Sequence, residues 1–296
     1  MTIKQIDDYP MPALAQIPQN KTNWEADTAR SVLLIHDMQN YFLNFYQQDS
    51  TLIRTMIKNL QSLRSWAAQQ QIPVVYTAQP HQQHPQQRAL LNDMWGAGIT
   101  TAPVEEQKIV NALTPRPEDT ILTKWRYSAF QRSDLLAHMH NWQRDQLIIG
   151  GVYAHIGCML TAAEAFMQDI QVFFVADALA DFSAEQHQQA LNYVAGCCGQ
   201  VTTTEALLPA TNSLTRAWLT QKVQTLLEIP EETINPEENL ILYGLDSLRI
   251  MQFAAELKQY DINIGYDVLG QQPSLNNWWQ LIKNKIKLFQ PSIGCK

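Results

Sequence analysis

The sequence predicts a three-layer α/β domain built on a parallel sheet, followed by a small helical bundle. Short apolar runs without clean alternation recur at residues 32–35, 74–76, 120–122, 147–149 and 172–175. They are β-branched or aromatic, as expected for strands covered on both faces. Helical stripes separate them. In 51–69, Leu52, Ile53, Met56, Ile57, Leu60, Leu63 and Ala67 recur at three- and four-residue steps, and similar patterns fit 133–143, 159–169 and 184–195, the last opened by Ser183 as an N-cap. Strands alternating with helices imply βαβ crossovers. Beyond residue 208 the strand runs stop. Helical stripes follow at 216–228 and from Ser247 onward, then a shorter apolar segment near Val268 and Leu269 and a last helix through Trp278 to Ile286.

The expected organisation is an α/β domain over 1–208, with 1–30 as a polar, proline-punctuated arm lying over it. A linker at 209–214 (PATNSL), a bundle over 215–290 and a fraying tail over 291–296 complete the chain. With 296 residues, 46% hydrophobic and 17% charged, there is ample material for packed cores, which excludes an intrinsically disordered chain. The net charge of −7 excludes a global field for nucleic acid, and the basic residues are too scattered for a polybasic membrane anchor. The lysines at 283, 285 and 287 read as a solvated helix face. No window is apolar enough for a membrane span, and the N-terminus lacks the apolar stretch of a signal peptide. The 4 cysteines, Cys158, Cys197, Cys198 and Cys295, make neither a metal pair nor a disulfide framework. A reduced, cytoplasmic protein without a catalytic metal is expected.

In an open parallel sheet, ligands bind beyond the carboxyl ends of the strands. Asp37, Gln79, Lys124, Tyr153 and Asp177 each follow such a run, which suggests a converging site. The competing reading makes Asp37 a helix cap and Lys124 its structural ion-pair partner. Residues 150–158 (GGVYAHIGC) join a strand to a helix. Cys158, near that helix start, reads either as a nucleophile of lowered pKa or as a buried, inert thiol. Cys197, Cys198 and Cys295 read as inert, and His36 and His155 as packing residues. One of Trp125, Arg126 and Tyr127 is a candidate pocket wall.

The strongest short motif is 244–248 (GLDSL). A serine at the start of an amphipathic helix presents an exposed hydroxyl, and a phosphodiester there gains from the free N–H groups. Capping by Asp246 or Ser247 is the alternative role.

Taken together, several motifs resemble one family over nearly the whole chain: 34–39 (LIHDMQ), 76–79 (YTAQ), 88–95 (RALLNDMW), 124–130 (KWRYSAF), 151–158 (GVYAHIGC), 176–182 (ADALADF) and 244–248. The chain is similar to the bifunctional isochorismatase/aryl carrier proteins of catechol siderophore synthesis, of the enterobactin and vibriobactin type. The resemblance implies an isochorismatase-like α/β fold with an acyl-carrier-like bundle. It implies hydrolysis of the isochorismate vinyl ether to pyruvate and 2,3-dihydro-2,3-dihydroxybenzoate, with Asp37 as general acid. Lys124, Gln79 and Arg88 would hold the substrate's carboxylate and hydroxyl groups, and Phe42, Trp95 and Tyr153 would line the ring pocket. Related cysteine hydrolases carry their nucleophile at the place filled here by Gly157, with Cys158 displaced by one residue. That displacement turns the side chain by about 100° on a helix, and Gly157 leaves room where a cysteine would stand. A cysteine amidohydrolase and an inactive scaffold fused to a carrier are the alternatives.

For the bundle, the resemblance implies a 4′-phosphopantetheine arm on Ser247, attached by a phosphopantetheinyl transferase. A 2,3-dihydroxybenzoate-activating ligase would load it, and a condensation enzyme of nonribosomal peptide synthesis would unload it. Leu248 and Met251 are candidates for docking these partners or for packing within the bundle. A homodimer through the α/β domains is also implied.

Overall fold

The computed structural model describes residues 3–208, 214–229, 234–260 and 262–288, apart from a few side chains within the helices. The chain divides into two compact units, Met1–Leu207 and Leu208–Lys296.

The first unit holds a six-stranded parallel sheet: β1 Ser31–His36, β2 Val74–Ala78, β3 Thr120–Thr123, β4 Gln146–Val152, β5 Gln171–Ala180 and β6 Gln200–Thr202, in spatial order β3-β2-β1-β4-β5-β6. Every residue of β1 and β4 is buried, which explains why their sequences are apolar without alternation. Val32 and Leu34 of β1, Leu147 and Ile149 of β4, and Val172 and Phe174 of β5 share one face. That face packs against α2 Leu135–Asn141, α3 Met159–Phe166 and α4 Ala184–Cys197. The long helix α1 Thr51–Gln69 lies along the sheet's strands and buries Leu52, Met56, Leu60 and Leu63. Ser50 caps α1 and Ser183 caps α4.

Two expectations are corrected here. A sixth strand exists: β6 has three residues, of which only Val201 is buried, so it carries almost no hydrophobic signal. Its free edge is covered by the arm, where the Asn20 amide makes two 2.8 Å hydrogen bonds to the Val201 backbone. Asp177 does not end a strand. The pairing of β4 with β5 shifts between Ile149 and Gly151, so β5 runs on to Ala180, and Asp177 instead accepts hydrogen bonds from the Thr204 amide and hydroxyl at 2.7 and 2.9 Å.

The second unit contains α5 Arg216–Leu227, α6 Ser247–Gln259, α7 Tyr266–Gln271 and α8 Leu275–Leu288. Its core centres on Trp278, whose ring stacks on Phe253 at 4.8 Å and whose Nε1 donates to the Leu269 carbonyl. Leu214, expected in the linker, is buried in this core. The rest of the linker, the tail and Cys295 lie outside the described residues. Among the described residues, no helix is long and apolar enough to cross a membrane.

Candidate active site

Chain order along the sheet reverses between β1 and β4, and the crevice beyond their carboxyl ends is where this topology places ligands. Asp37 leaves β1 there with φ +49, in a left-handed conformation that few side chains other than Asp and Asn adopt readily. Its neighbour across the register is the end of β4, where His36 pairs with Gly151 and Tyr153 follows.

Asp37 is 4% exposed and fully bonded. Oδ1 accepts from the Thr77 hydroxyl of β2 at 2.7 Å, and Oδ2 lies 2.8 Å from Lys124 Nζ. Lys124 follows β3, and its amide is fixed to the Ala78 carbonyl. Burial pushes the Asp37 carboxyl upward, but the Lys124 charge, with smaller help from His36 and Thr77, outweighs it. The carboxyl is held below its ordinary range, so Asp37 is ionised at neutral pH. The ion pair expected in the competing reading therefore exists. The helix cap does not, because the next turn, Asn40–Leu43, starts from Gln39.

These groups open into a cavity with about 640 Å³ of empty space, part of it open to solvent. Asp37, Phe42, Gln79, Arg88, Trp95, Lys124, Tyr153 and Gly157 all border it. Arg88 is 4% exposed, with Nε donating to the Gly96 carbonyl and Nη1 to Gln83. No carboxylate among the described residues lies within ion-pair distance of it. Tyr153 donates to the Phe42 carbonyl at 2.8 Å, and its ring lies 4.4 Å from that of Phe182. Trp95 Nε1 donates to the Tyr127 hydroxyl. The site thus has a polar floor, an aromatic wall and one surplus buried cation.

Other candidates fall outside. Asp177 is absent from the cavity. Cys158 is fully buried in the core beneath the sheet, and burial pushes its thiol well above its ordinary pKa, so the nucleophile reading fails. The space at Gly157 is not vacant either. A β-carbon there would stand 2.2 Å from Cε1 of His36, whose ring fills the place a cysteine would need. His36 donates from Nδ1 to the Val152 carbonyl at 2.7 Å, and burial lowers its pKa to about 4, so it is neutral. His155 is bound by the buried Asp181 through both its amide and Nδ1. Of residues 125–127, Arg126 and Tyr127 border the cavity.

Sequence reasoning also missed Gln39, 1% exposed, whose amide accepts from Gln79 N and donates to the Gln79 and Gln107 carbonyls. It sits two residues past Asp37, which is the signal that was there to find. Ile3 and Phe182 line the cavity as well. Among the described residues, no three His, Cys, Asp or Glu side chains are grouped to hold a metal ion.

Residues 31–206 match the isochorismatase domain family, more than half of the chain. The chain belongs to the isochorismatase family. Residues 217–282 match the phosphopantetheine attachment site family. The chain is 47% identical over 287 residues to enterobactin synthase component B of Escherichia coli K12, covering 97% of this chain and 100% of that one. It is 42% identical over 309 residues to an isochorismatase of Bacillus subtilis, covering 99% of each. Among solved structures, a cysteine hydrolase from Pseudomonas syringae superposes with a TM-score of 0.57 at 22% identity, over 63% of this chain and 93% of that one, which shows the shared fold.

In the second unit of this isochorismatase family member, Ser247 is exposed on the first turn of α6. Asp246 is the N-cap, its carboxylate accepting from Arg249 N at 2.8 Å, so capping falls to Asp246 and leaves the Ser247 hydroxyl outward. Gly244 precedes it at φ +93, a conformation suited to glycine, and Arg249 Nη1 donates to its carbonyl. An accessible hydroxyl on a helix start fits a phosphodiester-linked group. Leu248 and Met251 are 64% and 51% exposed, which removes them from the bundle core.

Proposed function

We propose that the first unit hydrolyses isochorismate and that the second carries an aryl acid on Ser247. The observation that carries the first half is Asp37, a buried carboxylate aimed into an aromatic cavity and held by Lys124, with no usable thiol beside it.

Isochorismate is a dianion with an enolpyruvyl vinyl ether. Hydrolysis needs a proton on the terminal methylene carbon. The resulting oxocarbenium ion takes up water at the ether-bearing carbon, the water loses a proton, and the hemiketal collapses to pyruvate and 2,3-dihydro-2,3-dihydroxybenzoate. No enzyme nucleophile takes part, and a general acid is required. Asp37 is that acid. In the free protein Lys124 keeps it ionised, but a substrate carboxylate that engages Lys124 weakens the hold and raises the Asp37 pKa in the complex. Arg88, buried without a carboxylate partner, takes another of the substrate's anionic groups. Once the vinyl ether is protonated, the regenerated Asp37 carboxylate faces the developing cation.

Ser247 supplies the attachment hydroxyl, with the start of α6 offsetting the phosphodiester charge. When attached, 4′-phosphopantetheine supplies a thiol that carries the acid as a thioester. The cargo is 2,3-dihydroxybenzoate, loaded by an activating ligase after a phosphopantetheinyl transferase has acted, and passed to a condensation enzyme. The exposed Leu248 and Met251 form part of the docking surface. The α/β units pair as a homodimer.

Pyruvate release from isochorismate tests the first half. Wild type and Cys158→Ala should release it and Asp37→Asn should not. Activity lost only in Cys158→Ala would replace this reading with a thiol hydrolase. For the second half, incubation with a transferase and coenzyme A should add one phosphopantetheine to wild type and none to Ser247→Ala.

A further inference from the structure

The cavity has a wall that the matched isochorismatase domain does not supply. Ile3 borders it, 28 residues ahead of the start of the domain match at residue 31. The arm that brings Ile3 there is pinned at three successive points. Ile6, 3% exposed, pairs with Tyr46, and its amide donates to the Phe45 carbonyl at 2.7 Å. The Asp8 carboxylate accepts from the Ser50 hydroxyl at 2.6 Å and the Thr51 amide at 3.2 Å, at the start of α1. The Tyr9 hydroxyl accepts from Asp181 N at 2.7 Å and donates to His187 Nδ1 at 3.1 Å.

These anchors are also the supports of the aromatic wall. Tyr46 packs 6.2 Å from the Tyr153 ring and donates to the Asp181 carbonyl, and Asp181 leads directly into Phe182. The arm is therefore fastened to the residues that hold the wall, and its leading apolar side chain borders the cavity. An apolar group placed there gains contact with a ring substrate and displaces water from beside the buried Asp37 and Lys124, where exclusion of water strengthens each electrostatic contact.

We infer that the N-terminal arm is part of the substrate site and that Ile3 is a substrate-contacting residue that sets affinity for isochorismate. The inference rests on the proposed isochorismatase reading. Its contribution is to binding rather than to proton transfer, because Ile3 carries no group that can donate or accept.

The test is steady-state pyruvate release by the full-length protein, with any affinity tag at the C-terminus. In Ile3→Ala, KM for isochorismate should rise by about three- to tenfold with kcat within about twofold of wild type and an unchanged melting temperature. Ile3→Leu should restore KM. Asp8→Ala, which frees the arm at a point away from the cavity, should raise KM in the same direction. A KM that stays at the wild-type value in folded Ile3→Ala overturns the inference. If wild type itself releases no pyruvate, the isochorismatase reading falls, and this inference with it.

Discussion

The His36 ring occupies the position that a side chain on residue 157 would need, with Cε1 2.2 Å from where a β-carbon of Gly157 would stand. The imidazole is held in place by its 2.7 Å hydrogen bond to the Val152 carbonyl. One glycine and one histidine thus leave no room for a side chain at residue 157. Gly157→Cys should lose about 1–3 kcal/mol of stability through overpacking and most of its pyruvate release, without gaining amidase activity. Chemical denaturation and the two assays check it, and Gly157→Cys with His36→Ala should recover stability relative to Gly157→Cys alone.

Removing Lys124 leaves the Asp37 carboxylate buried and unpaired. Lys124→Met should cost about 3–5 kcal/mol at neutral pH, measured by denaturant titration, and should shrink as pH falls and Asp37 takes up a proton. The double variant Asp37→Asn, Lys124→Met should recover most of that stability and none of the activity.

The Arg88 prediction runs the other way. Because its charge is buried with only neutral partners, Arg88→Met should leave the stability of the free protein within about 1 kcal/mol of wild type. The KM for isochorismate should rise at least about tenfold, since a buried charged contact to the dianion is lost. A large stability loss with KM unchanged would make Arg88 a structural residue.

His36 and His187 are both neutral in the folded state, with burial lowering each pKa from 6.5 to about 4. The unfolded chain binds more protons between those values, so stability is full above about pH 6.5 and is lost as pH falls toward 4. Each histidine contributes roughly 3 kcal/mol to that loss. His187 Nδ1 accepts from Tyr9 and Nε2 donates to the Ala176 carbonyl. His187→Gln should flatten the decline in melting temperature between pH 6.5 and 4.5.

Much of the site was legible because a parallel sheet gathers its strand ends. Asp37, Gln79, Lys124 and Tyr153 needed only the recognition of four apolar runs, and they border one cavity. Phe42, Arg88, Trp95 and Gly157 came from the family likeness, since nothing in loop periodicity points to them. What failed did so for identifiable reasons. Asp177 was misplaced because a register shift after Ile149 lengthens β5, and β6 was missed because a three-residue edge strand buries a single side chain. Ile3 was invisible because its contact depends on the path of an irregular arm. The neighbour of Gly157 was invisible for another reason: His36 reads only as a packing residue just past an apolar run until the third dimension places its ring.

The sheet also implies a gradient of motion across the site. β1 and β4 are paired on both sides and buried throughout, so amide protons of 32–36 and 147–152 should exchange with solvent only through global unfolding, whereas the arm, held by a handful of contacts, should open far more often. Asp37 would then follow the slowest-exchanging part of the molecule, while the arm that borders its cavity exchanges faster. The wall that the arm supplies would then be the most readily loosened part of the site, while the strand ends beneath it stay fixed.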